Sequence, residues 1–139
     1  MIKAIVKHIV LFLVGGLIYC ILEILFRGNS HWTMYILGGM CFILLGCMNE
    51  HCSWDIPLWI QSVAGSIIIT ILEFWTGCIV NLWLGWNVWD YSQLPLNILG
   101  QICLPFSILW CMLSVVGIVL DDYLRYWWFH EEKPNYKLF

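Results

Sequence analysis

Charge is what this sequence has least of. Only 11% of its 139 residues are Asp, Glu, Lys or Arg, against about 25% in a soluble domain. So few charges cannot coat a water-soluble globule of this size, and the bilayer becomes the solvent for most of the chain. A surplus of positive charge is missing too. Six Lys and Arg stand against nine Asp and Glu, a net charge of −3, which excludes nucleic acid as an electrostatic partner. No G-x-x-x-x-G-K-[ST] and no G-x-G-x-x-G segment occurs, so neither kind of glycine-rich nucleotide loop is present. No Ser/His/Asp or Cys/His arrangement stands out as catalytic, and nothing calls for a cofactor.

What is abundant is apolar: 62% of the chain is hydrophobic. Its seven cysteines do not form a disulfide framework. Cys20, Cys41, Cys78, Cys103 and Cys111 fall inside apolar runs, where a thiol behaves as a small hydrophobe. Lys3 and Lys7 before an apolar run resemble the start of a signal peptide. The run continues to about Phe26 without a small-x-small cleavage site, so it reads as a retained first span.

A span needs about 20 mostly apolar residues. Four candidates follow, at about 5–26, 32–48, 56–84 and 94–120, with a tail at 121–139 that begins at Asp121 and Asp122. The third is longer than the bilayer core, so it tilts, bends or emerges. Lys3, Lys7, Arg125, Lys133 and Lys137 all lie near the two chain ends, and the loops of the other side hold only Arg27. The positive-inside rule then puts both termini in the cytoplasm.

The chain also carries an internal echo. Ile21-Leu22-Glu23 recurs as Ile71-Leu72-Glu73, and Gly15 and Gly65 each precede the Glu by eight residues. Ile36-Leu37-Gly38 recurs as Ile98-Leu99-Gly100, each followed two residues after the Gly by an apolar residue and then Cys. This suggests two parallel hairpin repeats, about 10–48 and 60–115, related by an axis along the membrane normal. The second copy has 12 extra residues, which fall in the stretch around Gly77 to Leu94 and make it read as an outer interfacial or re-entrant segment. The expected fold is therefore an all-α polytopic membrane protein of four transmembrane helices.

Within the spans, Ser62, Ser66, Thr70, Glu73, Gly77 and Asn81 fall on one helix face. Small and polar residues of this kind mark helix–helix contacts in lipid. Glu73 stands out, because a carboxylate in the bilayer costs about 2.5–3.5 kcal/mol on insertion scales and needs a partner or a function. Glu23, its repeat mate, has Arg27 four residues on, a spacing that permits an ion pair. Pro105 is expected in mid-span, where it removes a backbone donor and kinks the helix. Cys47, His51, Cys52 and Asp55 are metal-ligand types, but Cys-x3-His-Cys-x2-Asp matches no standard zinc pattern. That stretch reads as an ordinary polar loop.

Trp89-Asp90-Tyr91-Ser92, then Pro95, Asn97, Gly100, Ile102-Cys103-Leu104-Pro105-Phe106-Ser107 and Trp110, form a long ordered motif. Together with Leu72-Glu73-x-x-x-Gly77 and Gly16-x-x-Tyr19-x-x-x-Glu23, it resembles the putative ABC-transporter type IV permease family (CmpB-type) over roughly residues 10 to 120. The resemblance implies a small multi-pass protein of the bacterial inner (plasma) membrane, of permease type, one copy in an oligomer with a separate ATPase subunit.

The residues themselves point first to a transporter or permease component with an acidic site in its outer half. Glu73, Glu23 and Tyr19 would line it, with Asp90, Tyr91, Ser92, Asn97 and Gln101 at its mouth. Paired acids favour a cation or a proton as the ligand. A non-transporting factor that binds lipid or a partner protein through Trp83, Trp86 and Trp89 is the alternative. A membrane enzyme acting on lipid-linked substrates, with Glu73 and Asp90 as acid and base, is the third reading. Membrane lipid is the expected surrounding, and exposed small-residue stripes make a homo-oligomer plausible.

Overall fold

The computed structural model describes residues 1–51 and 56–136. Among them are four long α-helices: α1 (Ile2–Arg27), α2 (Trp32–His51), α3 (Leu58–Gly77) and α4 (Leu104–Phe129). A six-residue π-helical stretch, Cys78–Trp83, prolongs α3, and a two-stranded hairpin, β1 (Asn97–Ile98) and β2 (Ile102–Cys103), leads into α4. Helix α1 packs along α2 and α3 along α4, while α2 also meets α3 and α4 and joins the two hairpins. The segments 28–31 and 84–103 lie at one end of the bundle, the loop end. Met1 and the tail to Tyr136 lie at the other, where Lys7 pairs with Glu131 at 3.2 Å.

The distribution of residues is inverted relative to a soluble protein. Ile5, Ile9, Leu13, Leu17, Ile21 and Ile24 line the exposed face of α1, and Val63, Ile67, Ile71 and Trp75 that of α3. Buried positions include Gln61, Ser62, Ser66, Glu73, Ser114, Asp121, Asp122 and Arg125. An apolar exterior around a polar seam is stable only when lipid is the solvent, since soluble proteins rarely expose such patches. Ile2–Arg27, Leu58–Trp83 and Leu104–Phe129 are each 26 residues and apolar enough to cross a membrane. At 1.5 Å per residue each is about 39 Å long, more than the roughly 30 Å hydrocarbon core. The apolar part of α2, Trp32–Met48, is shorter.

The polar stripe of α3 is turned onto α4. Ser66 Oγ donates to Ser107 O at 2.6 Å, and Thr70 Oγ1 and Ser107 Oγ share a hydrogen bond of 3.0 Å. Between α1 and α2 the seam is made of glycines. A Cβ on Gly38 would collide with Tyr19 Cβ, and one on Gly39 would lie 2.8 Å from Phe12 O. These contacts let the backbones approach closely, which is how apolar helices bind one another when burial in lipid gives no hydrophobic gain.

Two boundaries differ from the sequence reading. Helix α4 starts at Leu104, not near residue 94, so Pro105 occupies its first turn. There its missing N–H would have had no helical partner anyway, and it makes no mid-span kink. Asp121 and Asp122 do not end the helix, which runs on to Phe129. Asp121 pairs with Arg125 one turn on, and Asp122 accepts from Tyr136 Oη at 2.6 Å. With these partners the two acids are buried rather than set in water, and Tyr136 ties the returning tail to α4. Burial and Asp122 together push the Tyr136 phenol up, so it remains a donor.

Gly38→Val is expected to lower stability by about 1–3 kcal/mol through overpacking against Tyr19. Gly28→Ala, where φ is +81° but no atom lies within 4 Å, should cost about 1 kcal/mol from backbone strain alone. Thermal unfolding of the two variants in one detergent checks the order.

Candidate functional site

The site grows from the loop end of α1, α3 and α4 and from the segment that joins α3 to α4. That segment is a folded cap. Asn81, in the π-helical stretch, accepts the Val88 N–H at 2.6 Å on Oδ1 and donates from Nδ2 to Gln101 Oε1 at 2.7 Å. Trp89 Nε1 donates to Gln101 O at 3.0 Å, and Tyr91 N–H to Gly100 O at 2.7 Å. Leu99 and Gly100, both at positive φ, are the central pair of a turn that the Gln101 N–H closes onto Ile98 O at 3.0 Å; with Gln101 they make the three-residue loop between β1 and β2, and paired positive φ suits the right-handed twist of a hairpin. Asn97 Nδ2 reaches Leu94 O at 2.9 Å, and its Oδ1 takes the Gly100 N–H at 3.1 Å. The effect of this network is to bury Trp89 and Tyr91 and to leave Asp90 outside.

Tyr91 is thereby aimed at the carboxyl of Glu73. Its ring stacks on Phe106 at 4.6 Å, with 12° between the planes. Burial, then the neighbouring Glu73, pushes its phenol well above the ordinary range, so it stays a neutral hydrogen-bond donor. Glu73 is 2% exposed. Trp110 Nε1 donates to its Oε2 at 2.7 Å, while Oε1 has no hydrogen-bond partner. The first hairpin contributes from the end of α1. Arg27 Nη1 meets Glu23 Oε2 at 3.4 Å, and Arg27 Nη2 lies 3.5 Å from Tyr91 Oη. Tyr19 lies between the two acids, with its ring 6.1 Å from that of Trp110.

Three hollows surround this cluster. A groove of about 360 Å³ runs between α1 and α4 past Leu22, Phe26, Phe106, Leu109 and Leu113. A polar pocket of about 260 Å³ is lined by Asn29, Ser30, His31 and Asn87, among others. Glu23 and Arg27 border both. A smaller cavity of about 100 Å³ lies deeper, beside Gly15, Gly38, Cys41 and Ile69. Tyr19 and Trp110 wall both the groove and the deep cavity, whereas Glu73 lines none of the three.

Of the residues singled out from the sequence, Glu73, Glu23, Tyr19 and Tyr91 converge. Asp90, Ser92, Asn97 and Gln101 lie in the cap and make its turns. Asp90 is exposed, and the Ser92 N–H at 2.9 Å holds its carboxyl below the usual range. Trp83 and Trp86 are exposed, but Trp89 is buried and does not belong to an outer Trp face. Cys52 and Asp55 lie outside the described residues, as does the side chain of His51. Cys47 is half-buried near the end of α2. No group of three or more potential metal ligands converges among the described residues. The sequence reading missed Trp110 as a site residue. Its signal was phase: Ser107, Trp110 and Ser114 recur at helical spacing on the face that α4 turns to α3.

The family whose sequence model matches residues 25–130 is described as Putative ABC-transporter type IV. The match covers well over half of the chain, and the chain belongs to this family. Arg27, Glu73, Tyr91 and Trp110 lie within the matched region; Tyr19 and Glu23 precede it. No curated protein and no solved structure matches.

Trp110→Phe should lower stability by about 1–3 kcal/mol, because it strands a buried carboxyl oxygen. In a Glu73→Leu background the same change should cost much less, and a double-mutant cycle reads the difference. Asp90 predicts a pH effect. Its pKa is depressed in the folded chain, so its contribution is present above the unfolded value of 3.8 and is lost as pH falls through the lower folded value. Hydrogen exchange at the Ser92 amide should speed up there, and Asp90→Asn should remove that pH dependence.

Proposed function

We propose that this family member is a membrane component of a transporter, and that it holds a proton or a small cation at Glu73. The observation that supports this is a carboxyl 2% exposed within an apolar helix whose Oε1 has no hydrogen bond closed on it, although the Tyr91 phenol is turned toward the group. The cost of placing a carboxylate there is not offset by an ion pair, since Arg27 is engaged by Glu23. A proton or cation on Oε1 corrects the imbalance, with Trp110 fixing the other oxygen. Tyr91 and Trp110 enclose the site, so exchange of the ligand requires one of them to move. Tyr91 is the better candidate, because it rides on the cap and its tie to Arg27 is long.

In this reading the loop end faces away from the cytoplasm and the basic chain ends face into it. The family type supports a separate ATPase subunit as the source of energy, meeting the protein at the end that holds Met1 and the tail.

The test compares the purified wild-type protein with Glu73→Gln. Protons, Na⁺, K⁺, Mg²⁺ and Ca²⁺ are titrated at constant ionic strength while thermal unfolding is followed. One of them should stabilise the wild type, by about 2.7 kcal/mol at a hundred times its dissociation constant. Glu73→Gln should lose that response and keep its fold. An unchanged response in Glu73→Gln would make the carboxyl structural and overturn the proposal.

A further inference from the structure

The Glu73 proposal leaves unused the groove between α1 and α4 and the polar pocket that adjoins it at Glu23 and Arg27. Helix α1 is packed along α2, and no comparable seam joins it to α4. The groove reaches the bilayer-facing surface, since its lining residues Phe26 and Leu109 are exposed. Its lining by Leu22, Phe26, Phe106, Leu109 and Leu113 suits a hydrocarbon chain and little else.

At its polar end the charges come as an adjacent pair of opposite sign. The Arg27–Glu23 contact at 3.4 Å and the Arg27–Tyr91 contact at 3.5 Å are both long. Arg27 has five N–H donors and Glu23 about four acceptor sites, so each keeps capacity for a ligand. The pocket beyond them is flanked by His31, Trp32 and Trp86, whose rings lie 5.6 to 5.9 Å apart. Trp32 and Trp86 are also exposed. Exposed tryptophans at the end of an apolar span mark the depth of lipid head groups, so the pocket lies at head-group level and the groove at chain level.

We infer that groove and pocket form one binding site for a phospholipid with a primary-amine head, of the phosphatidylethanolamine type. Its phosphate accepts hydrogen bonds from Arg27, its ammonium donates to Glu23, and one acyl chain lies between α1 and α4. An anionic head would satisfy Arg27 but set negative charge against Glu23. A trimethylammonium head would carry the charge but could donate no hydrogen bond to the carboxylate. The lipid bridges the two hairpins on the side where protein contacts are sparse.

The experiment uses full-length protein, delipidated in a neutral detergent. Dioleoyl phosphatidylethanolamine, phosphatidylcholine and phosphatidylglycerol are titrated separately, and bound lipid is counted by native mass spectrometry. Wild type should bind the ethanolamine lipid about tenfold more tightly than either other lipid, the discrimination of one charge-assisted hydrogen bond. Glu23→Gln should reduce that preference to near unity. Leu109→Trp fills the groove from a position that is partly exposed to the bilayer, so it tests occupancy without opening the core. It should weaken binding of the ethanolamine lipid at least tenfold while circular dichroism and elution volume stay unchanged. Equal binding of the three lipids, preference for phosphatidylglycerol, or a preference that survives both substitutions would each overturn the inference.

Discussion

A single hydrogen bond, from the Trp110 indole to the Glu73 carboxyl at 2.7 Å, organises the loop end of this bundle. A carboxyl inside an apolar helix is tolerated only if something satisfies it, and the indole satisfies one of its two oxygens. That geometry fixes the register of α3 on α4. The smaller contacts of the same seam, Thr70 to Ser107 and Ser66 to Ser107, lie one and two turns along α3 from it. It also draws in the cap, since Tyr91 comes to the same carboxyl, and through Tyr91 and Arg27 it reaches the first hairpin.

The cap shows how a loop can carry precision in a protein with few polar residues. Asn81 and Gln101 are the only joint between the π-helical end of α3 and the hairpin before α4 for which side chains bond directly among the described residues. They hold two backbone N–H groups and each other, and the result is that Trp89 and Tyr91 face inward. The other end of the bundle uses the same economy. Asp121, Arg125, Asp122 and Tyr136 are set inside as pairs, and Gly46 leaves room for the Asp121 carboxyl. Polar groups inside, apolar groups outside, and glycines where backbones meet are the consistent solution for a chain dissolved in lipid.

Much of this was legible in the residues. The recurrence of Ser62, Ser66, Thr70, Glu73 and Gly77 at helical spacing gave the buried face of α3, because only one face of a lipid-embedded helix needs polar contacts. The i, i+4 spacing of Glu23 and Arg27 gave their pair. The start of α4 was not legible from apolar content, since residues 94–103 are mostly hydrophobic. Leu96, Leu99 and Gly100 take positive φ there, and nothing in hydropathy reports a turn built from leucines. Asp121 and Asp122 read as an exit from the membrane because their partners, Arg125 and Tyr136, restore the balance only once the helix and tail are folded. Trp110 was hidden for the same reason: it reads as one more apolar residue until α4 is set against Glu73 of α3. Trp89 looks like an interface anchor until the cap turns it inward.

The central claim is that Glu73 has one oxygen fixed by Trp110 and the other open to a proton or cation. Isotope-edited infrared difference spectroscopy reads this directly, with Glu73→Gln identifying the band. The account predicts that the Glu73 carboxyl band changes when protons or the stabilising cation are added, and that Trp110→Phe shifts it further. A Glu73 band insensitive to pH, to every cation and to the loss of Trp110 would contradict it.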